Sequence, residues 1–276
     1  MNLEEKKPMK FSLKISMEQG TYNELEKYNR NLIIMKAVGS SEGKATSSAR
    51  PLAWICLAPN DYGKTINMSW EESYAVYTST DKIVAGAQIN VSNPYEITLG
   101  QTLRLTKPNG IGVVENEGEA GSVTIYNPFP QNPGDLDLIC GLMQAQNSKP
   151  PSQLCAFPLF PKSAEIIAPI NKVFVTFASD IKKVGAVVER CKHDGIMLEY
   201  KDGETLREVE FDIKKGFKVD QRGPCEEIPA IKNLSEILIL SRASLKKAKF
   251  EVESKLRLRG DEKAKDEEPK KFGVSA

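Results

Sequence analysis

Apolar residues in this chain are gathered into short runs, four to eight residues long for the most part, and turn-forming clusters separate them at intervals of roughly ten residues. In the first half these runs are MKFSLKI (9–15), NLIIMKAV (31–38), LAWICLA (52–58), YAVYT (74–78), VAGAQINV (84–91), YEITL (95–99), LRL (103–105), IGVV (111–114) and SVTIYN (122–127). Asn60-Asp61-Tyr62-Gly63, Asn93-Pro94, Pro108-Asn109-Gly110 and Glu117-Gly118-Glu119 punctuate them. Each run is too short for a core helix, and no amphipathic helices alternate with them, so the pattern predicts antiparallel strands of a sandwich or barrel and disfavours a parallel α/β sheet.

The pattern changes after residue 127, where prolines fall at 128, 130, 133, 150, 151, 158, 161 and 169. Each removes an amide donor and fixes φ, so a continuous helix or a central strand is not expected there. LDLICGLMQA (136–145) and LCAFPLF (154–160) are nevertheless too apolar for a solvated tether, and the stretch reads as a packed connection. Strand-like runs then return as a meander: KVFVTFA (172–178), VGAVVERC (184–191), IMLEY (196–200) and LREVEFDI (206–213). The Lys-His-Asp-Gly and Lys-Asp-Gly corners between the last three read as hairpin turns. SEILILSRASLKKAKFEV (235–252) fits a strand pair or one helix, and neither period is clean.

The expected fold is therefore all-β: an antiparallel β-sandwich, or barrel-like, N-terminal unit and a smaller β-meander C-terminal unit. The boundaries drawn are a flexible N-terminus (1–8), the sandwich (9–130), a packed Pro-rich connection (131–170), the smaller β domain (171–253) and a disordered charged tail (254–276). VAGAQINV and VGAVVERC echo each other loosely, with surroundings too different to establish a duplication.

Composition narrows the function more than the motifs do. The chain has 276 residues and one histidine, His193. Imidazole is the commonest general acid/base and a leading zinc ligand, so most hydrolytic triads and metal sites are disfavoured. With 38 Lys+Arg against 37 Asp+Glu, the formal charge of +1 offers no global field for nucleic acid. No run approaches the length of a membrane span, and the acidic and basic start is unlike a signal peptide, so a cytoplasmic protein is expected. The five cysteines are an odd number without a C-x-x-C spacing, which favours buried thiols over a Cys140–Cys155 bridge.

Several local patterns carry chemistry on paper. Ala58-Pro-Asn-Asp-Tyr-Gly63-Lys64-Thr65 satisfies a relaxed phosphate-loop spacing, but Pro59 has no amide to donate and the residues that follow do not form a clear amphipathic helix, so a β-turn is the better reading. Gly39-Ser-Ser-Glu-Gly43-Lys44-Ala45 lacks the hydroxyl and reads as a mobile loop. Cys191 and His193 flank a turn and make a thiol/imidazole pair conceivable, against a solvated hairpin histidine. Arg259-Gly260-Asp261 is attributed to chance, and the lysine runs at 182–183, 214–215, 246–249 and 270–271 to solvated faces. Neighbouring carboxylates such as Glu71/Glu72 are a poor glycosidase pair, because that reaction needs two acids on opposite sides of a sugar.

The densest candidate is Ser69–Tyr77. As a strand it places Trp70, Glu72, Tyr74 and Val76 on one face and Tyr77 on the other; as a helix it aligns Trp70, Tyr74 and Tyr77. The binding reading makes these aromatic rings a ligand surface, together with Tyr62, Lys64 and Tyr95 on neighbouring loops. The alternative puts Trp70 and Tyr74 in the core. Three functions stay open: a non-catalytic binder of a small molecule, glycan or protein surface; a cofactor-independent isomerase or cyclase of a small hydrophobic metabolite; and a structural or assembly protein. No cofactor or metal is called for, and a homo-oligomer is possible.

Overall fold

A computed structural model describes residues 9–40, 48–130, 132, 134, 136–201 and 203–241. The expectations for 1–8, for the Gly43-Lys44 loop and for 254–276 lie outside the described residues. The chain is nearly all β. In order come β1 (Lys10–Ser16), α1 (Gln19–Lys27), β2 (Asn31–Ser40), β3 (Arg50–Pro51), β4 (Ile55–Leu57), β5 (Thr65–Glu71), β6 (Tyr74–Ser79), β7 (Asn93–Ile97), β8 (Thr102–Leu105), β9 (Gly112–Glu115) and β10 (Val123–Asn127). They are followed by β11 (Leu138–Gln144), β12 (Ser152–Gln153), β13 (Cys155–Leu159), β14 (Ser163–Ala178), β15 (Gly195–Glu199), β16 (Leu206–Asp212), β17 (Gly216–Val219), β18 (Cys225–Ile228), α2 (Ser235–Leu238) and β19 (Ile239–Ser241).

The strands form three sheets. A four-stranded sheet runs β17-β16-β1-β5, a six-stranded sheet runs β3-β13-β11-β6-β7 with β12 on β11, and a nine-stranded sheet is built about the β2–β14 pair. Pairing is mostly antiparallel, but β1–β16, β8–β10 and β2–β19 are parallel. These ladders cross the boundaries read from sequence: β1 lies beside β16, and β2 runs along β14 from Asn31↔Ala178 to Ser40↔Ile167.

The main core lies between the nine-stranded sheet on one side and the other two sheets on the opposite side, as the period of two dictates. Leu32, Ile34 and Val38 of β2 point into it with Leu13 of β1, Met68 of β5, Val76 of β6 and Leu142 of β11. The intervening residues Ile33, Met35 and Ala37 meet a second cluster with Val188, Leu234 and Leu238, and Tyr77, Ile139 and Met143 meet a third with Ile89 and Val187. Central strands are thus covered on both faces, which is why β2, β6 and β11 read as continuous apolar runs instead of alternating.

That third layer corrects two expected strands. VAGAQINV and VGAVVERC form no regular strand; they bridge each other at Gln88↔Ala186, with Ile89 and Val187 over the outer face of the six-stranded sheet and Ala186, Val188 and Cys191 in the second cluster. Their apolar content reflects this cover. Neither Asp-Gly corner makes a hairpin: β15 pairs with β14 and β18, whereas β16 pairs with β1 and β17. The proline-rich stretch also holds what it was not expected to hold, since β11 is a central strand between β13 and β6. No proline occurs from 134 to 149, so the interruption is local. Pro158 faces Ile139 at a point where β3 has already ended, and Pro169 falls where the β14–β2 register shifts, both places a missing amide is tolerated. The nine-residue α1 buries only Thr21 and Leu25, too little periodicity to be read from sequence.

Candidate functional site

Parity along β2 decides the first feature. Lys36 shares the inward face with Ile34 and Val38, so the only charge in the run 31–38 projects into the main core and is fully buried. Gln144 shares the inward face of β11 with Leu142 and is also fully buried. The Lys36 Nζ donates to Gln144 Oε1 at 2.7 Å. Gln144 is held at two other atoms: its Nε2 donates to the Glu71 carbonyl at 2.6 Å, and its own carbonyl accepts from Trp54 Nε1 at 2.9 Å. Around the amine stand Trp70, Trp54 and Tyr74, with ring centroids 5.7, 5.9 and 6.0 Å from Nζ. Burial brings the ammonium down to a pKa of about 7, opposed by the charge of Glu72.

The aromatic and acidic segment therefore converges, but inward. Trp70 is the last residue but one of β5 and Tyr74 begins β6; the chain changes sheets at Glu72-Ser73, and both rings enter the core. Trp70 packs against Trp54, Tyr200 and Phe11, and its Nε1 has no hydrogen-bond partner among the described residues. Tyr77 is fully buried on the opposite face, its hydroxyl donating to the Cys155 carbonyl at 2.8 Å. Glu72 is exposed. Tyr62 is buried and donates to the Arg30 carbonyl at 2.6 Å, Lys64 is exposed, and Tyr95 is half-buried with its hydroxyl accepting from the Gly112 amide at 2.9 Å. The structure thus brings Trp70 and Tyr74 together around Lys36, with Glu72 close enough for its charge to be felt there, and leaves Tyr77, Tyr62, Lys64 and Tyr95 elsewhere. Residues 58–65 contain a 3-10 turn at Pro59–Asp61 and then the strand β5, not the helix a phosphate loop requires.

The open site is on another part of the molecule. A cavity of about 560 Å³ lies between the β16–β17 turn, the segments entering β2 and β15, and the end of β18. Its wall is a phenylalanine cluster: Phe177 is 4.5 Å from Phe211, and Phe211 is 4.6 Å from Phe217, between ring centroids. Tyr62 packs on Phe177 from behind. Arg30, Lys214 and Lys215 stand at the cavity with His193, against the carboxylates of Asp194 and Glu227. The turn is fixed by Asp212, whose Oδ1 accepts the Lys214 and Lys215 amides at 2.8 and 2.9 Å; those bonds hold its carboxyl below the usual range. Gly216 closes it with φ of +81°, a left-handed conformation suited to glycine.

His193 is half-buried, and desolvation followed by the nearby Arg30 charge lowers its pKa, with Asp180 and Asp194 acting in the opposite sense. Asp194 is already engaged: Oδ1 accepts from the Ala230 amide at 2.8 Å and its carbonyl from Thr176 Oγ1 at 2.8 Å.

Comparison with protein families, curated proteins and solved structures gives no match. The geometry is accordingly the whole basis for a functional reading.

Cys191 is buried, and desolvation pushes its thiol up to about 12, the reverse of what a thiolate nucleophile beside His193 needs. All five cysteines are thiols, so Cys140 and Cys155 are not bridged. No group of three potential metal ligands occurs among the described residues, and none of their helices is long and apolar enough to cross a membrane. Sequence reasoning missed Lys36, Gln144 and the phenylalanine cavity. For Lys36 the available signal was one charge inside an apolar strand. Phe177, Phe211 and Phe217 come from three strands in two sheets, and no local pattern joins them.

Proposed function

We propose that this protein is a non-catalytic binder of a small amphipathic anion, held in the cavity between the β16–β17 turn and the start of β2. The observation that carries the reading is a phenylalanine wall left open to a ligand-sized space beside Arg30, Lys214 and Lys215. Small-molecule sites are concave, of roughly 300–1,000 Å³, mainly apolar and equipped with a few orienting polar groups. Three cations against two carboxylates favour a negative head group, and the rings receive an apolar body. Phe211, Phe217 and Ile213 are half-buried without a ligand, so there is apolar area still to be removed from water.

Binding is favoured over isomerase chemistry because the cavity's carboxylates are exposed, whereas an acid or base for proton abstraction is tuned by burial. Assembly through the 136–160 segment is disfavoured by the burial of Leu138–Met143 and Leu154–Phe157.

Titration with 1-anilinonaphthalene-8-sulfonate, followed by displacement with medium-chain carboxylates, tests the reading. Saturable binding is expected, with Phe217→Ala weakening it by about tenfold, equivalent to roughly 1.4 kcal/mol of lost apolar contact. Arg30→Ala should weaken the carboxylate more than the alcohol of equal chain length. Absence of saturable binding, or binding indifferent to both substitutions, would refute the assignment.

A further inference from the structure

We propose that Lys36 and Gln144 condense to form an intramolecular isopeptide bond that ties β2 to β11 through the core. The proposal is independent of the ligand cavity. It rests on the placement of one nucleophile and one acyl group, both fully buried, from strands in two facing sheets. The Lys36 Nζ is already at hydrogen-bond distance from the Gln144 amide, 2.7 Å from Oε1. That amide cannot turn away, since its Nε2 is bonded to the Glu71 carbonyl and its backbone carbonyl to Trp54 Nε1. Such fixed pairs react with effective concentrations far above any attainable in solution.

The surroundings suit the step. The Nζ lone pair attacks Cδ of Gln144, the Nζ–Cδ bond forms, the Cδ–Nε2 bond breaks, and one proton passes from Nζ to Nε2. Ammonia leaves and a secondary amide remains, so no oxidant, reductant or further reactant is required. The amine must be neutral to attack, and burial makes it so in a large fraction at neutral pH. No ion pair holds Lys36 among the described residues; Glu72 acts on it only through its charge. Tyr74, whose ring centroid is 6.0 Å from Nζ and which interacts with the Gln144 side chain, would pass the proton through its hydroxyl. Nε2 points to the Glu71 carbonyl, and Glu71, Ser73 and Ala145 line a surface depression of about 190 Å³ beside it, which gives ammonia a way out. Lys36 and Gln144 are themselves fully buried, which limits the access of water to the product.

Denaturing mass spectrometry of the full chain, incubated for several days at mildly alkaline pH, decides the matter. The expected mass is about 17 Da below that of the sequence, one ammonia, with a digest that joins the Lys36 peptide to the Gln144 peptide. Lys36→Met should have its full sequence mass. Gln144→Glu should lose about 18 Da instead, one water, and reach the same product mass as the unsubstituted chain. Tyr74→Phe should cross-link at least tenfold more slowly. An unsubstituted chain that keeps its full mass, with no joined peptide, overturns the proposal whether or not Lys36→Met folds.

Discussion

Among single residues, His193 offers the most direct electrostatic test of the cavity. Desolvation and Arg30 hold its folded-state pKa below the ordinary 6.5, so the imidazole is neutral in the free protein near pH 7. An anionic head group beside it stabilises the imidazolium and raises that pKa, so ligand and proton bind together. Affinity for a carboxylate or sulfonate is therefore expected to strengthen as the pH falls through the interval between the raised pKa of the bound histidine and the lowered pKa of the free one. Isothermal titration across that interval checks this, and His193→Asn should flatten the dependence while binding at pH 7 persists; a slope unchanged by the substitution would assign the proton to another group. The sequence reading had this residue as an idle hairpin histidine, because the charge that matters, Arg30, is 163 positions away in the chain and only the fold brings it near. Trp70 and Tyr74 do face the same core, but from β5 and β6 in two different sheets, so one strand with a period of two running through residues 69–77 does not account for it. Which face was wet could not be read locally, because Phe11, Trp54 and Tyr200, the rings that pack on Trp70, come from distant parts of the chain.

Elements in this molecule are joined by side chains where ladders stop, and Arg207 on β16 is the clearest case. It is fully buried, and Nε donates to Asp220 Oδ1 at 2.9 Å. Its Nη1 reaches the carbonyls of Glu199 at 2.5 Å and Pro224 at 3.1 Å, and Nη2 reaches that of Gly223 at 3.1 Å. Glu199 ends β15 and Pro224 precedes β18, so one guanidinium links the four-stranded sheet to the edge of the nine-stranded sheet. Replacing it with methionine takes the guanidinium away from the Glu199 and Gly223 carbonyls and from Asp220, which keeps the Glu208 amide and Arg222, while the Pro224 carbonyl keeps the Glu199 amide; the loss costs about 3 kcal/mol. The exposed pair Lys218–Glu210, by comparison, contributes at most about 1 kcal/mol. Urea denaturation should accordingly show a large fall in midpoint for Arg207→Met and almost none for Lys218→Met; equal effects would mean that the buried network carries no special weight. Strand existence was legible at this scale in apolar runs free of proline such as β2, β6 and residues 172–178 of β14, though not in VAGAQINV or VGAVVERC. Strand partners were not, because β1 with β16 and β2 with β14 are contacts across more than a hundred residues, which no turn specifies.

Those long-range ladders also set how the whole molecule should unfold, and the cysteines are placed to report it. Cys225 on β18 is exposed, Cys56 on β4 is half-buried, and Cys140, Cys155 and Cys191 are buried in β11, β13 and the segment before β15. Desolvation pushes the thiols of Cys56, Cys155 and Cys191 up to about 11, 12 and 12, so they are poor nucleophiles in the folded chain. A maleimide or disulfide reagent is therefore expected to modify Cys225 rapidly in the native protein and Cys56 slowly, with the other three reacting only on unfolding. Because β2 pairs with β14 along its whole length, and the same core is shared by all three sheets, Cys140 and Cys155 of the six-stranded sheet should become reactive at the same denaturant concentration as Cys191, which packs on the nine-stranded sheet. Two separated midpoints, assigned by peptide mapping, would instead divide the molecule into independent units along the boundaries its proline-rich segment suggests. A single midpoint would show that the connection between residues 131 and 170 is part of the core it spans, as the burial of β11 and β13 implies.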